Sequence, residues 1–573
     1  MPVPNAEIAA DLVRLADLLE LDGANPFRVR AYRNAARVVG DLPTSVAEML
    51  AAGADLAALP GIGADLAGKI AEIARSGHLA LLDETERRSP PGLVELLAVP
   101  GLGPRRVQLL AGRLGVRTVA DLAAAARAGR SRTLPGFGAR LESRLLQAAE
   151  RQAAAPHRAR RAAVEEIAGA LRRDLAAVPG VAAIEVAGSY RRRLETVGDL
   201  DLVAAARSSG PLMERFVAWP GVERVLSRGP TRSSVLLRGG LQVDLRVVPA
   251  ASYGAALQYF TGSKAHNIAL RQRAAERGLK LNEYGLFRGR RRIAGGSEDG
   301  IYRALALDPV VPELREDRGE IAAAAAHALP ALVAPEDIRG DLHVHTDASD
   351  GRAPLAAMVA AARALGYRYM AVTDHSRRLA MLHGLDSRRL GRQADAIARL
   401  NEQLRGFTVL AGVEVDILED GRLDLPDAVL GRLDLVVGAV HGAFALPRER
   451  QTERLIRAMD NPHLSILAHP TGRLIGRRAP LALDIERLLH AAGERGCALE
   501  VNGQPERLDL DDRLVRLARD RGVRLALSTD AHSPAELGFM RHAVDQARRG
   551  WARAADIVNT RDCEGLRRAL RRS

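Results

Sequence analysis

At 573 residues, with 47% hydrophobic and 27% charged residues, the chain is too long for one core and too apolar to be disordered, so several folded domains are expected. A net charge of +13 points to a polyanionic partner, and charge alone leaves nucleic acid and an anionic membrane surface both open. Cys497 and Cys563 form no metal or disulfide pattern, no basic-then-apolar leader opens the chain, and no apolar run reaches membrane length, so a cytoplasmic protein without a membrane partner is expected.

Residues 1 to about 85 read as helices, with apolar positions at helical spacing over Ile8 to Leu19 and Phe27 to Val39. Leu59-Pro60-Gly61-Ile62-Gly63 follows, and the pattern returns as Val99-Pro100-Gly101-Leu102-Gly103 and Leu134-Pro135-Gly136-Phe137-Gly138. Each copy feeds a helical stretch. Paired glycines permit a tight hairpin whose amides, with the next helix N-terminus, can grip a phosphate. Three copies define helix-hairpin-helix elements, with Gly61, Gly63, Gly101, Gly103, Gly136 and Gly138 as DNA-backbone contacts independent of base sequence. Only three of the 83 basic residues are lysines: Lys69, Lys264 and Lys280. Arginine can clamp phosphate but stays protonated and forms no Schiff base, so each surviving lysine raises a chemical question.

A basic, alanine-rich helical link around Arg151 to Ala170 leads into an α/β region. Strands are predicted at Val181 to Ala187, Leu200 to Ala204, Ser234 to Leu237 and Leu241 to Val247, and a helix at Pro211 to Phe216. Within VAGSYRRRLETVGDLDLV, Asp199 and Asp201 alternate onto one strand face. Two carboxylates so close are costly unless a divalent cation lies between them, and Asp244 in LQVDLRVV supplies a third. A metal-dependent nucleotidyltransferase site is the expected chemistry. Beyond Ser252 come mixed helices and turns with YFTGSKAHN and LKLNEYGLF, then a proline-punctuated connector from Asp308 to Gly340.

From Asp341 short apolar runs alternate with helical segments: 341–345, 369–373, 408–413, 434–439, 465–468, 498–502 and 524–529. This is the pattern of parallel strands with crossover helices, and seven units could close a barrel. Ten of the 14 histidines fall here, many where a run ends. Their neighbourhoods DLHVH, VTDH, GVEVD, AVHG, LAHP and STDAH offer donors suited to Mn²⁺, Zn²⁺ or Fe²⁺.

The paired motifs GSYRRRLETVGDLD and YFTGSKAHN, with the hairpins before them and the histidine motifs after, resemble the family X DNA polymerases fused to a PHP phosphoesterase domain in bacteria. The resemblance implies a multidomain fold: a helical lyase-like domain at 1–88, helix-hairpin-helix fingers at 89–160, an α/β nucleotidyltransferase palm at 161–250, a thumb at 251–315, a linker at 316–339, and a distorted (β/α)7 PHP barrel at 340–573. It implies that Asp199, Asp201 and Asp244 bind two Mg²⁺ ions. Gly188, Ser189, Arg192 and Gly198 would hold the dNTP phosphates, with Tyr259, Phe260, Gly262 and Asn267 at the nucleotide and Arg271 at DNA. Arg191 and Arg193 are expected on the surface or the DNA backbone. Lys69 takes the position of a Schiff-base lysine for removing 5′-deoxyribose phosphate, near Tyr32 and Arg33. Asp65 and Phe27 depart from the family's residue types there.

In the PHP domain the resemblance implies up to three ions: one on His343, His345, Glu414 and Asp530, one on Glu414, His441 and His469, and one on Asp350, His375 and His532. Asp374 and Asn502 would support these ligands, while His383, His463, His490 and His542 lie outside the pattern. The implied activities are gap filling on gapped or primer-template DNA with dNTPs and metal-dependent 3′→5′ exonuclease or 3′-end processing. The implied setting is a monomer in the bacterial cytoplasm, on the nucleoid when bound to DNA. Two other readings fit part of the chain: a small-molecule PHP phosphatase with a DNA-tethering appendage, and a non-catalytic DNA-end-binding scaffold.

Overall fold

The computed structural model describes all residues except 1–4, 41, 43–45, 60, 77–78, 89–92, 94–95, 97–98, 100–101, 154–157, 379–382 and 571–573. Two units result, Met1–His157 and Arg158–Ser573. In the first, the helices Asn5–Leu21 and Pro26–Gly40 form where the apolar spacing predicts them and bury Ile8, Leu12, Leu15, Val29, Tyr32 and Val39. A second core in this unit gathers Val107, Leu110, Leu122 and Leu145 from the helices Pro104–Leu114, Val119–Arg127 and Ala139–Ala153, with Leu102 and Phe137 from the hairpins before the first and third.

The second unit begins differently from the continuous helical link expected. Ala159–Arg160 is a short strand paired antiparallel with Thr196–Val197, and a new helix runs from Arg161 to Ala176. The sheet that follows has the order Val181–Val186, Asp199–Ala206, Gln242–Val248, Arg232–Leu237, Val222–Arg228. Four of these strands were predicted. The fifth, VERVLSR, is an edge strand that buries none of its residues, so it carries no apolar alternation to find. The predicted helix spans Gly210–Val217. Beyond Ser252, LKLNEYGLF contributes strands to a three-stranded antiparallel sheet, Lys280–Asn282, Gly285–Arg288 and Arg291–Ala294, rather than turns alone.

The C-terminal part is a seven-stranded parallel sheet in chain order: Gly340–Asp341, Tyr369–Val372, Thr408–Asp416, Leu435–Ala439, Leu464–Leu467, Ala498–Asn502 and Leu525–Ser528. Alternate residues bury into two cores, one with Val413, Val415, Val436 and Leu527, the other with Leu410, Val437, Ile466 and Ala526. Burial on both faces explains the near-continuous apolar runs. The first and last strands meet: Val344 bridges Ala531, and Thr529 donates through its amide and hydroxyl to Asp341. The sheet therefore closes into a distorted barrel, with its strand ends converging on the histidine motifs. His343 and His345 lie just past the regular part of the first strand.

Candidate active sites

Asp199–Ala206 and Gln242–Val248 pair in parallel with Asp201 opposite Asp244, so the three acidic side chains share one face. Burial, then Asp199 and Asp244, push the Asp201 carboxyl up to about 6. Partial desolvation, followed by the Asp244 charge, raises Asp199 as well. A cluster that resists ionisation in this way is chemically matched to a hard divalent cation with oxygen ligands. Asp244 is held by Arg232 (3.1 Å) and Gln242 (3.1 Å), neither singled out from sequence. Arg158, also missed, lies near Asp199 and donates to Thr196 at 2.7 Å.

Gly188 opens a four-residue helical turn at φ +62°, and a Cβ there would lie 2.7 Å from Asp201 Oδ2. Glycine is needed both for the backbone angle and for the approach to the carboxylate. Ser189 lies in the same turn, and Gly198 directly precedes the strand that begins at Asp199. Arg192 donates to Thr261 O and lies 3.0 Å from Glu316. Arg191 is not a surface residue: it makes a bidentate pair with Glu298 at 2.8 and 2.6 Å, and Glu298 also receives Arg315. Burial alone would raise Glu298, yet these two guanidinium groups bring it down to about 2. Arg193 bonds Asp545 instead of projecting freely.

The helices Tyr253–Thr261 and Lys264–Glu276 carry the second motif. Tyr259 and Phe260 meet edge to face at 5.1 Å, and Arg246 lies 4.2 Å over the Phe260 ring. Gly262 terminates the first helix at φ +71°. The Asn267 amide is turned inward, accepting from Gln258 and donating to Tyr259 O, both at 2.7 Å. Arg271 is exposed one turn further on.

In the first unit the hairpins repeat one hydrogen bond, from Ile62 to Leu59 O, Leu102 to Val99 O and Phe137 to Leu134 O. The apolar centre of each plugs a core while Gly61, Gly63, Gly103, Gly136 and Gly138 stay exposed. Gly101, like Pro60 and Pro100, lies outside the described residues. Lys69 is ion-paired with Asp65 one turn away, and Arg33 with Asp17 and Glu20, while Tyr32 is buried.

At the barrel's strand ends, His343, His345, His375, His441 and His469 surround the buried Glu414. Its Oε2 lies 3.4 Å from His343 Nε2, 3.6 Å from His345 Nε2 and 2.8 Å from His375 Nδ1, and its Oε1 lies 3.2 Å from His441 and 3.1 Å from His469. Asp530 Oδ1 stands 3.2 Å from His345, while Asp350 Oδ2 stands 3.5 Å from His375 and 3.3 Å from His532. Ligand atoms converge in three groups: His345, Asp350, His375 and His532; His343, His345 and Asp530; His375, Glu414 and His441. Eight of the nine expected ligands fall in these groups, and the ninth, His469, reaches Glu414 at 3.1 Å; the groups share His345 and His375, where the expected sets shared Glu414.

The residues fit metal ions. His343 Nε2, His345 Nε2 and Glu414 Oε2 are buried and lack hydrogen-bond partners, a costly arrangement for polar atoms that a cation would satisfy. Two far ring nitrogens are anchored, His343 Nδ1 on Glu500 (2.7 Å) and His441 Nδ1 on Asp416 (3.1 Å), leaving their Nε2 to face inward. Burial opposes charge on His375, but Glu414 and Asp350 push it up to about 10. Burial, with His532 and His375 beside it, drives His345 down to about 4. Asp374 receives Thr346 and Ser349, and Asn502 donates to Asp530 at 3.2 Å. Asp416 and Glu500 were missed, although an acid inside an apolar strand run is itself a signal. Asp530 and His469 adopt left-handed backbone angles, φ +53° and +27°, local strain of the kind found at functional sites. A cavity of about 400 Å³ beside the cluster is lined by Asp350, Asp530 and His532 together with Arg352, Gln504 and Arg507.

Paired-strand carboxylates beside a glycine turn define a nucleotidyltransferase, and a histidine-rich barrel mouth of this composition defines a metal-dependent phosphoesterase. Family models agree along the chain: a helix-hairpin-helix domain matches 3–79, a SAM-like helix-hairpin-helix tandem 93–151, a DNA polymerase beta thumb 256–316 and a PHP domain 341–504. A DNA polymerase/3′-5′ exonuclease PolX of Bacillus subtilis (strain 168) is 36% identical over 575 residues, covering 98% of this chain and 99% of the relative. Probable phosphatases of Thermoanaerobacter sp. (strain X514) and Acetivibrio thermocellus are 32% and 30% identical, over 28% and 35% of this chain and 67% and 81% of their own lengths. The chain belongs to the bacterial family X DNA polymerases with a C-terminal PHP domain, the PolX family.

Proposed function

We propose that the chain fills short gaps in DNA and trims 3′ ends, using dNTPs and gapped or primer-template DNA at one site and a 3′-terminal phosphodiester at the other. The observation that carries this reading is the in-register pairing of Asp201 with Asp244 beside Gly188. Asp199, Asp201 and Asp244 would hold two Mg²⁺ ions, which when bound lower the pKa of the primer 3′-hydroxyl and neutralise triphosphate charge. The amides of Gly188 and Gly198 and the Ser189 hydroxyl receive the β- and γ-phosphates, with Arg192 adding positive charge beside them. Tyr259, Phe260 and Gly262 form the floor under the sugar. Asn267 braces that floor through Tyr259 O, and Arg271 faces the DNA.

In the barrel, Mn²⁺, Zn²⁺ or Fe²⁺ would be held by His343, His345, Glu414 and Asp530, by Glu414, His441 and His469, and by Asp350, His375 and His532. Such ions activate water and neutralise phosphate at neutral pH. Glu414 fixes the spacing of two ligand sets, Glu500 and Asp416 hold two imidazoles in the inward tautomer, and Arg507 and Gln504 position the scissile phosphate in the cavity. The exposed hairpin glycines grip DNA backbone. Lys69 is the lyase nucleophile once it leaves Asp65; borohydride trapping on a 5′-deoxyribose-phosphate end, absent in Lys69→Arg, tests that assignment. We place the chain in the cytoplasm, on the nucleoid when bound to DNA, as a monomer; no helix among the described residues is long and apolar enough to cross a membrane.

The central test is a primer on a one-nucleotide gap with a 5′-phosphate, supplied with dNTPs in Mg²⁺ and separately in Mn²⁺. Extension in Mg²⁺ and resection in Mn²⁺ are expected on the same gel. Absence of extension under both metals would overturn the polymerase reading, and turnover of free phosphate esters would then separate the small-molecule phosphatase from the non-catalytic DNA-end-binding scaffold.

A further inference from the structure

Between the Gly188 turn and Asp199, the chain runs through Arg192, Arg193, Leu194 and Glu195, and the barrel domain holds this path at several points. Arg549, on the helix Met540–Arg549 and 4% exposed, donates Nη1 to Arg192 O at 2.6 Å. The same nitrogen lies 3.2 Å from Glu316 Oε1, which also receives Arg192 Nε at 3.0 Å. Its other terminal nitrogen is fixed on Asp512 at 2.6 Å. Four residues earlier on that helix, Asp545 bonds Arg193 and, at 2.5 Å, Arg161. Arg193 sits at φ +59°, an uncommon angle for arginine that needs such support. At the other end of the path Glu195 pairs with Arg473 at 2.6 Å, four positions after His469.

The path in turn shapes the turn before it. Arg192 N donates to Gly188 O and Leu194 N to Ser189 O. A displacement of Arg192 O is therefore passed directly to the two residues that present amides and hydroxyl to a phosphate.

We propose that Arg549 is a positioning residue of the polymerising site: the phosphoesterase domain sets the shape of the dNTP-phosphate turn in the palm, with Glu195–Arg473 as a second brace. Arg549 touches neither substrate nor the carboxylates, and it acts only by fixing Arg192. This rests on the reading of Gly188 and Ser189 as the phosphate turn. A small misplacement of groups that bind substrate weakens binding before chemistry, so Arg549→Gln should raise the dNTP KM about tenfold with a smaller change in kcat.

The experiment uses the full chain and compares wild type, Arg549→Gln, Arg549→Lys, Glu195→Gln and Ser189→Ala. It measures dNTP KM and kcat on a one-nucleotide gap and the exonuclease rate in Mn²⁺. The inference expects a raised KM in Arg549→Gln, partial recovery in Arg549→Lys and an unchanged exonuclease. A normal KM in Arg549→Gln alongside a raised KM in Ser189→Ala overturns it. A normal KM in Ser189→Ala removes the phosphate-turn reading, and the inference with it. If Arg549→Gln loses both activities through misfolding, Glu195→Gln decides: a raised KM supports the brace, and a normal KM overturns it.

Discussion

The acidic cluster of the palm and the histidine cluster of the barrel are built in opposite ways. The palm gathers three carboxylates from two adjacent strands, one residue pair in direct register, and leaves Asp199 at the solvent edge. The barrel gathers eight candidate ligands from strand ends across the whole domain and buries most of them, with Glu414 at the centre. The palm carboxylates are few, so on the proposed reading an incoming triphosphate would complete the coordination of any ion they hold. The barrel site draws its donors from protein side chains, and three of its imidazoles, His343, His441 and His532, are oriented from behind by Glu500, Asp416 and the Asp530 carbonyl. A site finished by its substrate tolerates little loss, because each carboxylate is a large share of what the protein supplies. A site with many ligands should lose function in steps.

That contrast is tested most sharply by Asp201→Asn, which should lower nucleotide incorporation by at least about 10³-fold while 3′ resection in Mn²⁺ stays within about twofold, since the sites share no ligands. Matched primer-extension and resection assays read both; equal losses would show that the sites are not separable. In the barrel, Glu414→Gln should reduce exonuclease about 10²-fold or more and lower bound metal at two positions, whereas His532→Ala should cost less and affect one. Metal content by plasma emission spectroscopy beside exonuclease rate makes the comparison, and a full metal complement in Glu414→Gln would refute the shared carboxylate.

Away from both sites, Glu298 tests how the palm and thumb are joined. Its carboxyl lies near 2 in the folded chain against an ordinary value of 4.5. A depressed folded value means that the stabilisation is fully present above pH 4.5 and is lost as pH falls toward 2. The shift corresponds to about 3 kcal/mol, and Glu298→Gln also leaves Arg191 and Arg315 without their shared partner. Denaturant unfolding of wild type and Glu298→Gln should differ at neutral pH and converge at the acid end; a pH-independent difference would assign the effect to packing. The smallest effect is expected at the hairpins. Gly136→Ala forces alanine to φ +80°, at a cost of about 1 kcal/mol, so the Kd for gapped DNA should rise roughly fivefold. Wild-type binding should fall steeply with salt and ignore base sequence, and a flat salt profile would count against backbone contacts.

Much of this architecture was legible because the signals are local. DLD with a Gly-Ser turn, three PGxG repeats and histidines at the ends of apolar runs each lie within a few residues. What escaped was pairing between distant segments. Arg191 and Arg193 read as exposed basic residues, yet their partners Glu298 and Asp545 lie 107 and 352 positions downstream. Arg232 reaches Asp244 only because an antiparallel neighbour sets them near one another. Nothing in local composition marks such pairs. The stretch after Asp308 is a similar case: it read as a proline-punctuated connector, while Glu313, Arg315 and Glu320 are buried in ion pairs and hydrogen bonds. Glu320 accepts from His266 at 2.6 Å, fixing the helix that carries Asn267.

The closure of the barrel between Asp341 and Thr529 spans 188 residues of chain. During synthesis the palm carboxylates emerge early and can find one another once the helix Gly210–Val217 and two strands between them have been made. The histidine cluster has no such option, because His343 and His345 must wait for Asp530 and His532 to leave the ribosome. Arg549 follows later still. A nascent chain arrested after the last palm strand therefore has its acidic triad but neither the hydrolytic centre nor the brace on the Gly188 turn. Release of the full polypeptide is the moment at which both chemistries become available together.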